Sequence, residues 1–246
     1  MIANFQNPLF IDIETVSITS SYDQLSEGPK PLWFKKATYL GATTEEEKVA
    51  LFFEKAGIFA EFGKVITIAL GYITGRGQDV QLHVKSIASH DEVMLLKTLA
   101  DLLNRFPQDN LQLCAHNGKE FDFPYLCRRK TIQGIPLPNV LQIAGKKPWE
   151  VNHLDTMELW KFGDRKTYTS LDLLAQIFQI PSSKTLMDGS QVNHYYYVEK
   201  DLKKIAEYCE QDVIVTAQLF RKLHFLPIIQ PDVIISAEKS LLSEGL

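Results

Sequence analysis

The stretch Leu9-Phe10-Ile11-Asp12-Ile13-Glu14, near the start of the chain, determines how the rest of the sequence is interpreted. Its apolar residues predict a β-strand that is buried on both faces. Asp12 and Glu14 are two residues apart, so both carboxylates lie on the same face of that strand. Because an ionised carboxylate beside buried apolar surface is unfavourable unless it is paired or binds a metal ion, we expect both side chains at the end of the strand, facing a cation.

The composition is that of an ordinary globular protein. The chain has 246 residues, of which 45% are apolar and 23% charged, and we expect a single domain over residues 1–246. We expect no membrane span, no secretory signal and a cytoplasmic location, because no segment has the required apolar pattern. The three cysteines form no C-x-x-C pair and are expected to be reduced core residues. The net charge of −4 argues against binding of long nucleic acid through the overall field, although a local basic groove or divalent ions could hold a phosphodiester.

Residues 16–60, approximately, are predicted to form a helical insertion after the first strand. Two helices are expected there, at 29–41 and 43–57, and the second has an N-terminal threonine and early glutamates. The first helix contains aromatic and basic side chains: Trp33, Lys35, Lys36 and Tyr39. These side chains either bind a single nucleic-acid strand or pack the insertion onto the main body, and the sequence favours packing.

The elements after the insertion alternate between strands and helices. We predict strands at 65–73 and 79–87 joined by a hairpin, a helix from Ser89 to about 106 with a Ser89–Glu92 capping box, a strand at 111–115 and a helix at 121–133. Later elements are a short strand ending at Asp155, which caps the next helix, a helix capped by Thr169 or Ser170, a last helix from Asp201 to about His224, and an extension after about 226. This order predicts an α/β fold with a mixed sheet, in which three antiparallel strands are followed by parallel strands with flanking helices.

Further acidic residues are needed to complete a site, because a lone Asp-x-Glu pair is also common where a strand ends in a polar turn. Asp122 lies in the first turn of the helix after a buried strand, where ligands collect in α/β sheets. Tyr208 and Asp212 lie one turn apart at the border of the apolar face of the last helix. Each could be an ordinary helix-start or helix-packing residue. Together with Asp12 and Glu14, however, they predict a shared ion and water site.

The ordered motifs resemble those of the DEDD, or DnaQ-like, 3′–5′ exonucleases, which have a ribonuclease H-like fold. The matching motifs are Asp12-Ile13-Glu14-Thr15, Asn117 to Pro124 (NGKEFDFP) and Tyr208-Cys209-Glu210-Gln211-Asp212. The Tyr-x-x-x-Asp spacing is similar to the DEDDy subgroup. Glu61-Phe62-Gly63-Lys64 and the segment from Lys184 to Gly189 resemble the predicted exonucleases related to the proofreading domain of family B DNA polymerases. The resemblance covers about Pro8 to Leu223 and no polymerase domain, so we expect a free-standing enzyme.

This resemblance implies a two-metal-ion mechanism. Two Mg²⁺ or Mn²⁺ ions would be bound by Asp12, Glu14, Asp122 and Asp212, with Asp12 bridging both ions. Tyr208 would orient the attacking water, because a phenol with a pKa near 10 is a poor general base.

The resemblance also implies the substrate. The enzyme would hydrolyse nucleotides from the 3′ end of DNA, with RNA left open as a substrate, and its partner would be single-stranded DNA or a free 3′ end. Thr15, Asn117 and Phe121 would contact the terminal nucleotide. The alternative left open is a non-catalytic nucleic-acid-binding or interaction module on the same scaffold.

Overall fold

A mixed β-sheet forms the centre of the molecule. The structure is a computed structural model that describes residues 7–107, 111–164, 168–181, 187–236 and 240–241. The strands are β1 (Leu9–Ser17), β2 (Gly63–Thr74), β3 (Gln81–Ala88), β4 (Leu113–Ala115), β5 (Leu154–Asp155), β6 (Ile234–Ser236) and β7 (Ser240–Leu241). Their order across the sheet is β5-β4-β1-β2-β3-β6, and β7 also pairs with β3.

The first three strands are antiparallel, and the strands that join them are parallel. β1 pairs antiparallel with β2, and β2 with β3, whereas β4 is parallel to β1 and β5 is parallel to β4. The predicted fold class is therefore confirmed. The extension after 226 also contributes to the sheet, because β6 and β7 both pair parallel to β3, and the sequence analysis did not predict these two strands.

Helices flank the sheet. They are α1 (Pro29–Tyr39), α2 (Glu45–Lys55), α3 (Glu92–Asn104), α4 (Asp122–Ile132), α5 (Thr156–Lys161), α6 (Leu171–Ile177), α7 (Val192–His194), which continues into a π-helical turn at Tyr195–Glu199, and α8 (Leu202–Leu223). Asp155 caps α5, Ser170 caps α6 and Asp201 caps α8, as predicted. Within the described residues, no helix is both long and apolar enough to cross a membrane.

Each face of β1 is covered by a different layer of helices. Ile11 and Ile13 lie in a core with leucines of α3 and with α4. Phe10 points to the opposite face and packs against α8, where its ring is 5.6 Å from that of Phe220. Because Asp12 and Glu14 alternate with Ile11 and Ile13, they belong to the α8 face.

The predicted helical insertion lies between β1 and β2 and has a core of its own. Trp33 is completely buried there, packs against Phe52 and Phe62, and donates a hydrogen bond from Nε1 to the Lys48 carbonyl at 2.8 Å. The packing alternative is therefore correct for Trp33. Tyr39, in contrast, is 79% exposed.

The predicted Ser89–Glu92 capping box is wrong. Asp91 caps α3 by accepting a hydrogen bond from the Met94 amide. Glu92 is buried and bound by Arg129, whose Nε and Nη2 both donate to its carboxylate, and it also accepts from the Val65 amide at 2.8 Å. An ion-pair partner 37 residues away takes the carboxylate that a capping box would require.

Candidate active site

Asp12 and Glu14 lie on β1 where the strand passes under α8. One carboxylate oxygen of each residue and the sulfur of Cys209, on α8, all lie within 4.8 Å of one another. Glu14 is buried and Asp12 partly buried. The structure therefore places both acids of the first motif against the helix that carries the third motif.

Asp122 reaches the same cluster from the N-terminus of α4. Its Oδ1 accepts a hydrogen bond from the Ile13 amide at 3.2 Å, although the two residues are 109 positions apart. The residue is 4% exposed. This bond holds the second motif against the segment between Asp12 and Glu14.

Tyr208 and Asp212 complete the cluster from α8. Both are buried and lie one turn apart on the helix. After burial, the negative charge of Asp212 is the largest cause of the raised pKa of the Tyr208 phenol. The negative charge of Asp212 acts on both Asp12 and Glu14. All four predicted acids and the tyrosine are therefore brought together.

Burial and mutual repulsion determine the electrostatics of the cluster. Burial, followed by the charges of Asp212, Glu14 and Asp122, raises the pKa of Asp12 well above its usual value. The pKa of Glu14 is raised in the same way by burial and then by Asp212 and Asp122. Burial raises the pKa of Asp122 to about 7, while hydrogen bonds from backbone amides oppose the shift. The ionised form of these carboxyls is therefore disfavoured unless a cation binds to them.

The donor set fits hard divalent cations. No lysine or arginine among the described residues forms an ion pair with Asp12, Glu14 or Asp122. Thr67 lies opposite Glu14 in the sheet, and its buried hydroxyl has no hydrogen-bond partner within the described part of the chain. Carboxylate and hydroxyl oxygens are the ligands that Mg²⁺ and Mn²⁺ prefer, directly or through water.

Cys209 is a residue of this site that the sequence analysis assigned to the core. Its thiol contacts the Asp12 carboxylate, with Sγ 3.2 Å from Oδ2. Burial, followed by the negative charges around it, raises the pKa of this thiol well above its usual value. In the metal-free protein Cys209 is therefore a neutral donor that orients Asp12.

The predicted nucleotide contacts lie at the edge of the cluster. Asn117 has a left-handed backbone (φ 64°), and its buried Oδ1 has no hydrogen-bond partner among the described residues. Phe121 precedes α4, and its ring centroid is 5.3 Å from that of Tyr125. Thr15 is half-buried and lies close enough to Tyr125 to influence the pKa of its hydroxyl. Direct contact of Thr15, Asn117 or Phe121 with a nucleotide stays a prediction.

Asp155 holds the loop of the second motif. In addition to capping α5, its carboxylate accepts hydrogen bonds from the Asn117 amide at 2.9 Å and the Lys119 amide at 3.1 Å. The negative charge of Asp155 also contributes to the raised pKa of Asp122. The predicted capping role is thus only part of what this residue does. Its contact with Asn117 could not be predicted from the sequence, because it depends on how β4 and β5 pair.

A segment before α7 covers the tyrosine. An added Cβ at Gly189 would lie 3.7 Å from the Tyr208 hydroxyl, so this glycine brings the backbone close to that group. Gly189 ends the predicted motif from Lys184 to Gly189, of which residues 184–186 lie outside the described part of the chain.

The fold and this site define a class of protein: a ribonuclease H-like α/β domain with an acidic cluster beside its first strand. Residues 58–228 match a family model described as a predicted 3′–5′ exonuclease related to the exonuclease domain of PolB. The chain belongs to this family, and the predicted resemblance is confirmed. Asp12 and Glu14 precede the matched span.

Individual relatives are archaeal polymerases. A DNA polymerase of Pyrococcus horikoshii is 24% identical over 186 residues, covering 68% of this chain and 14% of the polymerase. A DNA polymerase of Pyrococcus glycovorans is 24% identical over 190 residues, covering 68% of this chain and 23% of that polymerase. The solved family B DNA polymerase of Pyrobaculum calidifontis superposes with a TM-score of 0.55 at 18% identity, covering 88% of this chain and 24% of the polymerase. The chain spans less than a quarter of each relative.

Proposed function

We propose that the protein is a metal-dependent 3′–5′ exonuclease that hydrolyses nucleotides from the 3′ end of DNA. The observation that carries this proposal is the meeting of acids from β1, α4 and α8 in one buried cluster without a basic partner for Asp12, Glu14 or Asp122 among the described residues. Acids that repel one another across three elements are costly to keep unless they bind cations. The family membership supports the same reaction.

Asp12, Glu14, Asp122 and Asp212 would hold two divalent ions. When bound, such ions polarise the phosphodiester, activate water and stabilise the leaving 3′ oxygen. The chain's own contribution is to fix the ligands. Cys209 donates to Asp12, and the Ile13 amide donates to Asp122, so two of the carboxylates are oriented by the fold itself.

Tyr208 acts as a neutral hydrogen-bonding group in this mechanism. Burial, followed by the charges of Asp212, Glu14 and Asp12, raises the pKa of its phenol far above the usual value. The hydroxyl therefore keeps its proton at neutral pH and orients the attacking water without serving as a general base. Asn117 and Phe121 would contact the terminal nucleotide, the first through its unpartnered amide oxygen and the second through its ring.

The proposal is tested by digestion of 5′-labelled DNA and RNA strands with Mg²⁺, Mn²⁺ or chelator. We expect stepwise shortening from the 3′ end that requires metal and leaves circular DNA intact. Asp12→Ala and Asp212→Ala should each lower the rate by several orders of magnitude, because loss of one ligand disables the metal site. Activity that survives chelation, or strand binding without turnover, would contradict the proposal, and the second result would support a non-catalytic binding module.

A further inference from the structure

The outer face of α1 is formed by side chains that the insertion does not use for its own packing. Leu32, Lys35, Lys36 and Tyr39 are spaced i, i+3, i+4 and i+7, so they lie on one side of the helix. Trp33 and Ala37, on the opposite side, are completely buried. Leu32 is 62% and Tyr39 79% exposed. The core of the insertion therefore does not explain why these apolar and aromatic groups are there.

A shallow groove runs along this face. Its volume is about 430 Å³, and it is lined by Leu32, Lys35, Lys36, Tyr39, Glu61 and Phe62. Two lysines against one glutamate give the groove a net positive charge, whereas the whole chain carries −4. The Lys36 ammonium lies 4.1 Å from the centroid of the Phe59 ring, and this contact holds it at the groove.

The groove is fixed in position relative to the acidic cluster. The Tyr125 hydroxyl donates to the Gly57 carbonyl at 2.8 Å and lies near Thr15, the residue after Glu14. An added Cβ at Gly63 would lie 2.3 Å from the same hydroxyl, so a glycine is required where the insertion returns to β2. Asn193 links Ser17, at the end of β1, to the Phe53 carbonyl in α2.

The strand register gives the separation along the chain between the acidic cluster and the backbone of Phe62, one of the groove residues. Glu14 pairs with Thr67, and the Ile18 amide donates to the Phe62 carbonyl at 2.8 Å. Four residues of extended chain separate these two levels, which corresponds to about 13 Å along the strand direction. A DNA strand whose 3′ end lies at the cluster would reach this level with nucleotides upstream of the terminal one.

We infer that the outer face of α1 binds the single-stranded part of the DNA upstream of its 3′ terminus, an inference that rests on the proposed function. The Tyr39 ring offers a stacking surface to a base, and Lys35 and Lys36 neutralise phosphates. Alternation of an exposed aromatic ring with cations is the chemistry of single-strand binding. A second copy of the chain that docked through the same face would meet like charge here.

The test measures the dissociation constant of a 5′-fluorescein-labelled 20-nucleotide single strand of DNA by anisotropy, in chelator so that the strand stays intact. Tyr39→Ala should weaken binding at least roughly fivefold, the lower limit for loss of one stacked base. Lys35→Ala should reduce the slope of log Kd against log salt by about 0.7, the value for one phosphate contact to a single strand. The matched controls are Phe225→Ala and Lys97→Ala, also exposed, and they should bind as wild type.

A small substrate separates this inference from the proposed function. The p-nitrophenyl ester of thymidine 5′-monophosphate occupies only the cleavage site, so Tyr39→Ala should hydrolyse it in Mn²⁺ at the wild-type rate. If Tyr39→Ala and Lys35→Ala bind the 20-nucleotide strand like wild type, the inference is overturned, even if the enzyme is active. If the two variants lose affinity but wild type hydrolyses neither substrate, the proposed function fails and the strand-binding face stands.

Discussion

Tyr208 is the residue whose role can be tested by removing a single atom. Its ring packs with Met187 and Val192 in a buried cluster, while its phenol lies close enough to Asp212 for that charge to act on it. Tyr208→Phe should therefore keep the melting temperature within a few degrees of wild type but lower kcat, because the group that orients the water is lost. The loss should be milder than for Asp12→Ala.

The kinetic readout is the pH profile of kcat in saturating Mn²⁺. A uniform reduction across pH 6.5 to 8.5 agrees with a neutral orienting group. If Tyr208→Phe is as fast as wild type at every pH, Tyr208 only packs.

Individual acids were predictable from the sequence because their spacing is local. Asp12 and Glu14 share a strand face, and Tyr208 and Asp212 share a helix turn, so each pair can be identified without knowledge of the fold. Cys209 could not be identified as a site residue in this way. Its position in the apolar arc of α8 is typical of a core thiol, and only the approach of β1 brings its sulfur to Asp12. Asp155 is similar, because its contact with the Asn117 amide spans 38 residues.

At the scale of elements, the ion pair between Glu92 and Arg129 joins α3, α4 and the end of the insertion. Both side chains are buried, and Arg129 also donates from Nη1 to the Ala60 carbonyl at 2.7 Å. Arg129→Met should lower the free energy of unfolding by about 3–5 kcal/mol, because it leaves the Glu92 carboxylate buried without its cation. Urea denaturation in chelator measures this loss.

The matched control for this substitution is Lys97→Met on the exposed side of α3, which should change the free energy of unfolding by less than about 0.5 kcal/mol. The double variant Arg129→Met with Glu92→Met should recover part of the loss, since an apolar pair leaves no unpaired charge. Equal stability of Arg129→Met and wild type would show that the ion pair contributes nothing to the joining of these elements.

Long, periodic elements were predicted well, and short ones were not. The sequence of α8 has a continuous apolar arc, and its predicted range agrees with Leu202–Leu223 to within one residue at each end. β6 has only three residues, of which two are exposed, so it lacks the alternation that identifies a strand. Its place in the sheet is set by pairing with β3, a contact that depends on the whole fold.

At the scale of the whole molecule, the acidic cluster makes the stability of the metal-free protein depend on pH. The pKa of Asp122 is raised to about 7, and those of Asp12 and Glu14 are raised well above their usual values. Above pH 6.5 the unfolded chain has lost these protons while the folded protein still holds part of them. Folding then takes up protons, so stability falls as pH rises through about 7.

Thermal melts in chelator between pH 6.5 and 8.0 measure this effect. The lowered pKa of the buried histidines His116 and His153 makes stability rise with pH until the unfolded histidines lose their protons, at about pH 7.5, so it opposes the carboxyl effect in the lower part of this window. Comparison with Asp122→Asn, which keeps both histidines, therefore isolates the carboxyl contribution. We expect the melting temperature of wild type to fall by several degrees across the window, and that of Asp122→Asn to fall less. A melting temperature that is constant or rises would show that these carboxyls do not share a proton-retaining cluster.

The effect of metal on thermal melting tests whether the four acids form one divalent-metal site. Metal that binds only the folded state stabilises it by mass action, because the unfolded chain cannot gather these ligands. Asp12→Asn keeps the shape of the side chain and removes one repelling charge. In chelator this variant should melt above wild type, and it should gain less on addition of Mg²⁺ or Mn²⁺.

The control is Asp79→Asn, since Asp109, which the sequence places in a surface loop, lies outside the described residues. Asp79 is exposed in the turn between β2 and β3, at the opposite end of β2 from the insertion, and its substitution should change neither melt. We expect metal to raise the melting temperature of wild type and of Asp79→Asn by the same amount, and to raise that of Asp12→Asn by less. Absence of any rise in wild type, with Asp12→Asn destabilised both with and without metal, would contradict a shared metal site.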